Sequence, residues 1–222
     1  MSLRVDWRSS LSLIGSVVKW LTVPFLVPLI ISLFEGRDIV TFLSVTGICL
    51  VLGLLMEQLE TEPELNIREG FLMVSGTWMT VAFIGALPYI IAGNGSVAVP
   101  MNALFESMSG FTTTGSTVMA SISFKTHSMA LMMWRQLSQW LGGMGIVVLA
   151  VAILPKLSIG GTQLMAAEAP GPSVDKLAPR IVQTARRLWL IYFLLTILEA
   201  MLLYGAYWVG KAPKMGPYNA IA

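Results

Sequence analysis

The sequence predicts an all-α integral membrane protein, with about five transmembrane helices and one re-entrant loop made of a pore helix and a filter strand. Three observations carry this expectation. The 222 residues are 55% hydrophobic and only 12% charged, with a mean hydropathy of +0.76, which leaves too little polar surface to coat a soluble globule. Apolar runs of about 20 residues, the length that crosses a bilayer, recur along the chain. Between two of them lies "SGFTTTGSTVM", residues 109–119, with three threonines in a row, a glycine and nothing that ionises.

The first apolar run, Leu11 to Phe34, is too long for the core of a signal peptide and ends in "EGRD" without a small-residue cleavage pattern. It is expected to stay as a span. Pro24 and Pro28 should kink it, while Lys19 and Trp20 suit an interface, the lysine snorkelling toward headgroups. A second run, Ile39 to Leu59, precedes the polar "EQLETEPELNIREG"; a third, Gly70 to Ala92, ends at the turn signal "GNGS". The amphipathic piece Pro100 to Ser109 has only about ten residues, too few to cross. A fourth span is expected from Met129 to Leu154. A polar loop with Pro155, Pro170, Pro172 and Pro179 follows, then a fifth span from about Arg187 to Val209.

Lysines and arginines near span ends favour a cytoplasmic N-terminus: Arg4, Arg8, Arg68, Lys156, Lys176, Arg180, Arg186 and Arg187 then lie inside, against five outside. Residues 93–128 open to the outside and enter and leave on one face. Non-helical backbone at membrane depth survives only where protein buries it or where it lines water. Carbonyls of Thr112, Thr113, Thr114 and Gly115 in a narrow pore would replace the water shell of a dehydrated monovalent cation. Gly115 has no Cβ and can take φ > 0. The threonine hydroxyls can bond behind the strand or add a ligand, and the short helix ending near Gly110 would aim its negative end at the cation. The alternative for the same residues is ordinary helix packing through small side chains.

Other residues carry less. Cys49, the single cysteine, reads as a small buried hydrophobe. Glu199 sits in the middle of the fifth span, where a charge costs about 2.5 to 3.5 kcal/mol; it reads as an ion-path carboxylate or as a protonated or interface-facing residue. Glu106 and Arg135 can pair near the outer face, or Glu106 can attract cations to a pore mouth. His127 reads as a solvated loop residue, and Gly142, Gly143 and Gly145 allow close approach to the short helix. "GGMG" has no preceding strand and no nucleophile, metalloprotease or Walker pattern occurs, so no enzyme is expected.

"ALFESMSGFTTTGSTVM", "WRQLSQWLGGMGIVVLAVAILP", "GGTQLMAAEAPGP" and "RRLWLIYFLLT" resemble the amino-terminal half of the TrkH/TrkG potassium-uptake subunits of the Trk/Ktr/HKT superfamily. The resemblance implies K⁺ as substrate with no organic cofactor, a bacterial inner membrane, membrane lipid around the spans, and a TrkA-type cytosolic ring that binds nucleotides and gates the pore. No nucleic acid is expected as a partner. It assigns the K⁺-coordinating backbone to Thr113 and Thr114, with Gly115 as the filter glycine and Thr112 at the edge.

Family members carry four span, pore-loop, span units, and measured against that pattern the chain divides into four parts. Residues 1–66 form an amino-terminal helix pair, 67–155 one complete unit, 156–186 a cytoplasmic loop, and 187–222 the first helix of an incomplete second unit. The remaining pore units are expected from another chain or from homo-oligomerisation. The rival expectation is a truncated, non-conducting membrane fragment or an interaction protein that associates with full-length subunits.

Overall fold

A computed structural model describes residues 7–59, 67–145 and 178–221, and among these every regular element is helical. Helices α1 (Trp7–Trp20), α2 (Thr22–Glu35), α3 (Ile39–Glu57) and α4 (Ile67–Ala92) are followed by a 3₁₀ turn at Gly95–Ala98. Then come α5 (Pro100–Phe111), α6 over residues 129–145, α7 (Ala178–Trp208) and α8 (Pro217–Ile221). Among the described residues four stretches are long and apolar enough to cross a membrane: Ser10–Glu35, Ile39–Glu57, Phe71–Ala92 and Gln183–Trp208. The expected fourth span is helical through residue 145, and its remainder lies outside the described residues, as does most of the expected cytoplasmic loop.

The first span is interrupted at Leu21, between α1 and α2. Pro24 has no N–H for the carbonyl of Trp20 and its ring crowds that carbonyl, so the ladder breaks just before it. Pro28 lies inside α2 without ending it.

The chain divides into two units, Met1–Gly142 and Gly143–Ala222. In the first, α3 runs back along α1 and α2, and α4 packs on α1 and α5. Its core joins Val18, Phe25, Phe42, Val45 and Cys49 of the amino-terminal helices to Tyr89, Phe111 and Trp134. Cys49 is buried there, the small hydrophobe expected. Phe25 stacks on Trp134 at 3.9 Å between ring centroids, and Phe111 meets the same indole edge-on at 6.0 Å. Pro88 lacks the N–H that would pair with the carbonyl of Ile84, and in that loosened turn the Trp134 indole donates to the carbonyl of Gly85 at 3.0 Å.

Lys19 does not simply snorkel. Its ammonium donates to Glu57 at the end of α3 at 2.6 Å, and the Ser16 hydroxyl donates to the same carboxylate at 2.7 Å. The outward faces stay apolar, with Phe34, Val40, Leu43 and Leu55 exposed, the surface a lipid solvent requires.

In the second unit α7 begins at Ala178, earlier than the Arg187 expected from hydropathy, with Pro179 in its first turn where a missing N–H costs nothing. Its apolar window buries no residue, and Glu199 lies exposed on it.

Candidate functional site

The site is built around α5. Val99 enters it in extended conformation and Pro100 takes the first helical position, where its fixed φ suits the start and its missing N–H is no loss. Small residues then let two longer helices close on it. A Cβ on Gly85 of α4 would strike Ser107 and Phe111, one on Gly110 would strike Ser138 of α6, and one on Gly142 would strike the backbone of Phe111. Glycine at these three places therefore sets how tightly α5 is held. Of the glycines expected to approach it, Gly142 does so.

The end of α5 is a Schellman turn made with the wrong residue. The N–H of Thr113 donates to the carbonyl of Gly110 at 2.9 Å and that of Thr114 to Ser109 at 3.0 Å, with Gly115 sharing the Ser109 carbonyl at 3.5 Å. This motif needs a left-handed residue just past the cap and usually takes glycine. Here Thr113 holds it, at φ +56. A β-branched residue in that region is an outlier, and strain of this kind collects at functional sites. Gly115, two residues on, has φ +73, the sign expected for it.

These turns engage the carbonyls of Met108, Ser109, Gly110 and Thr112. The Met108 carbonyl takes the N–H and the hydroxyl of Thr112, and the Thr112 carbonyl takes the Thr113 hydroxyl at 2.7 Å. The hydroxyls of Thr112 and Thr114 bond each other at 2.8 Å. Beyond them, the exposed residues Thr113, Thr114 and Gly115 receive no hydrogen bond at their carbonyls among the described residues.

The next four residues are tied down. Ser109 donates its hydroxyl to the carbonyl of Ser116 at 2.6 Å, and Ser96 donates to that of Val118 at 2.7 Å. Glu106 accepts the Thr117 hydroxyl at 2.9 Å, the Val118 N–H at 3.1 Å and the Arg135 guanidinium of α6 at 2.7 Å. The two charged side chains are 1% and 8% exposed. Of the two roles open to Glu106, pairing with Arg135 is the one found; a buried carboxylate already spent on three donors is not a lure at a pore mouth. Its i, i+11 link to Thr117 could not be read from sequence, since it depends on the chain reversing at Thr113.

His127 corrects the sequence reading. It is 2% exposed and packed against Gly95, and its Nδ1 has no partner among the described residues. Burial, then the cation of Arg37, hold its imidazole below the ordinary value, and Asp38 and Glu106 oppose this only in part. The turn between α2 and α3 that brings Arg37 and Asp38 there was also missed. "EGRD" reads locally as a loop, and nothing in it signals a distant contact.

The fold defines a multi-span helical membrane protein with a short helix and an irregular strand wedged into its first unit. The chain belongs to the TrkH family of cation transport proteins, whose profile matches residues 37–211. It is 40% identical over 223 residues to the Trk system potassium uptake protein TrkH of Vibrio parahaemolyticus serotype O3:K6, covering 98% of this chain and 44% of that protein. It is 44% identical over 187 residues to TrkH of Escherichia coli strain K12, covering 83% and 38%. The crystal structure of the potassium transporter TrkH from Vibrio parahaemolyticus superposes with a TM-score of 0.75 at 36% identity, over 98% of this chain and 42% of that one. The chain thus spans less than half the length of these relatives.

Proposed function

We propose that the chain conducts K⁺ as part of a Trk-type uptake system, with the backbone of Thr112, Thr113, Thr114 and Gly115 as one strand of a selectivity filter. The observation that carries this is the geometry of the strand: residues 113–115 are exposed and their carbonyls receive no hydrogen bond among the described residues, while just beyond them side chains hold the carbonyls of Ser116 and Val118 and the N–H groups of Val118 and Met119. Bare carbonyls at membrane depth need a ligand, and a dehydrated K⁺ supplies one that neither anions nor apolar groups can replace.

α4, α5, the strand and α6 then form one span, pore-loop, span unit. α7 opens a second, and its unburied window fits against further pore units from another chain or a second copy. The N-terminus lies in the cytoplasm of a bacterial cell and the spans in its inner membrane. A TrkA-type nucleotide-binding ring binds the basic segment that runs from Lys156 to Arg187.

Gly115→Ser tests the filter. The position has open space around it, so the added side chain acts through φ alone, at a cost of about 1 to 2 kcal/mol that a turned carbonyl would relieve. Rb⁺ and Na⁺ uptake are measured in cells without their own potassium uptake, at matched membrane abundance. The expected result is a lowered Rb⁺ to Na⁺ ratio for Gly115→Ser and a near-normal one for Thr114→Ser. An unchanged ratio for Gly115→Ser at normal flux leaves "TTTG" as a helix-packing run; absence of Rb⁺ uptake by the parent chain removes the transport reading altogether.

A further inference from the structure

We infer that the turn joining α2 to α3 is a positioning element for the filter, acting through α6. The Glu35 carboxylate accepts the N–H of Met129 at 2.8 Å and that of Ala130 at 3.4 Å, the first two donors of α6. Asp38 accepts the hydroxyl of Ser128, whose oxygen in turn accepts the N–H of Leu131 at 3.1 Å. Arg37 donates to the carbonyl of Phe124 at 3.0 Å. To the local cap that Ser128 gives this N-terminus, carboxylates from some 90 residues earlier add acceptors for the first two N–H groups and an anchor for the capping hydroxyl, and a negative group there also meets the positive end of the helix dipole.

The capped end fixes where α6 sits along its axis, and α6 carries what holds the filter segment. Arg135 reaches Glu106, which binds Thr117 and Val118; Ser138 lies against Gly110 and Gly142 against Phe111. A packed contact through glycine has no slack to absorb a slide. A shift of α6 at its Glu35 end is therefore passed to the Schellman turn and to the strand beyond it. The amino-terminal helix pair, which contributes no backbone to the strand, sets its position from outside. For ion selection, though not for the mechanical link, this rests on the filter reading above.

The test uses the full chain in lipid nanodiscs and in cells without their own potassium uptake, with Glu35→Ala, Glu35→Gln and the parent. Backbone hydrogen exchange is read in two segments, 128–131 at the cap and 113–119 across the fold. Glu35→Ala is expected to speed exchange at the cap about five- to tenfold, the worth of one lost cap, and to speed it in 113–119 as well. Glu35→Gln, which keeps an acceptor oxygen, restores both. In cells the Rb⁺ to Na⁺ ratio falls for Glu35→Ala and recovers for Glu35→Gln at equal abundance. Faster exchange confined to 128–131, or an unchanged ratio with 113–119 loosened, overturns the inference. If the parent carries no Rb⁺, the filter reading falls, and exchange in 113–119 alone decides whether the turn positions that strand.

Discussion

Residues 113–115 and 116–119 are neighbours on one short strand, yet side chains from elsewhere in the fold hold only the second group. The second group spends its backbone and side chains on Ser109, Ser96 and Glu106, and Glu106 spends its last capacity on Arg135. The first group leaves its carbonyls bare and accepts a left-handed threonine to place them. The two halves are complementary: acceptors can select an ion by fit only if what lies behind them does not yield.

The largest break in that contrast comes from Glu106→Ala. It strips acceptors from two donors and leaves Arg135 buried without its counter-charge, a loss of about 3 to 5 kcal/mol. Membrane abundance and detergent melting temperature should both fall steeply. Glu106→Gln, which keeps one acceptor, should be milder; equal damage from both would mean that the charge, not the hydrogen bonds, holds the strand.

Gly142→Ala comes next. Its methyl group would enter the space of the Phe111 backbone, and overpacking of this kind costs about 1 to 3 kcal/mol. Melting should drop while the far side of the bundle, around Lys19 and Glu57, keeps its exchange protection. A melting temperature equal to that of the parent would show that α5 and α6 can part freely, and the tied half of the strand would then not be rigid.

A finer comparison uses two glycines with one geometry. Gly115 and Gly210 have φ +73 and +76 and open space around both, so alanine at either should cost about the same 1 to 2 kcal/mol. Only Gly115→Ala should move the Rb⁺ to Na⁺ ratio. Equal effects would make the ratio a reporter of general strain.

What the sequence disclosed follows the range of each force. Spans were legible because bilayer thickness imposes a long apolar run, and α5 was placed to within two residues at its end because Pro100 starts it and the small-residue run stops it. The start of α7 was missed because its first turns are polar, and hydropathy does not see a helix that leaves the membrane. The positive φ of Gly115 was legible from residue type alone. Thr113 was not, since propensity argues against a left-handed threonine and only the tertiary hold on the strand overrides it. Glu35, Asp38 and His127 were opaque for a related reason: their partners come from segments some 90 residues away, or from a neighbouring turn whose packing no local pattern encodes.

The smallest effect belongs to His127, at the junction between the tied strand and the α2–α3 turn. Its imidazole is the only one in the chain, and burial with Arg37 nearby lowers its affinity for a proton in the fold. The unfolded chain keeps the ordinary value near about 6.5. Above that pH neither state binds the proton and stability does not change. As pH falls below it, the unfolded chain takes a proton that the folded chain refuses, so stability is lost progressively until the lowered folded value is reached, and is flat beyond. A melting series from pH 8 downward should therefore be level and then decline below the ordinary imidazole value. His127→Gln, neutral at every pH, should remove most of that decline while leaving the plateau close to the parent. If the slope survives the substitution, carboxylates carry it, and His127 packs between the two regions without coupling them to protons.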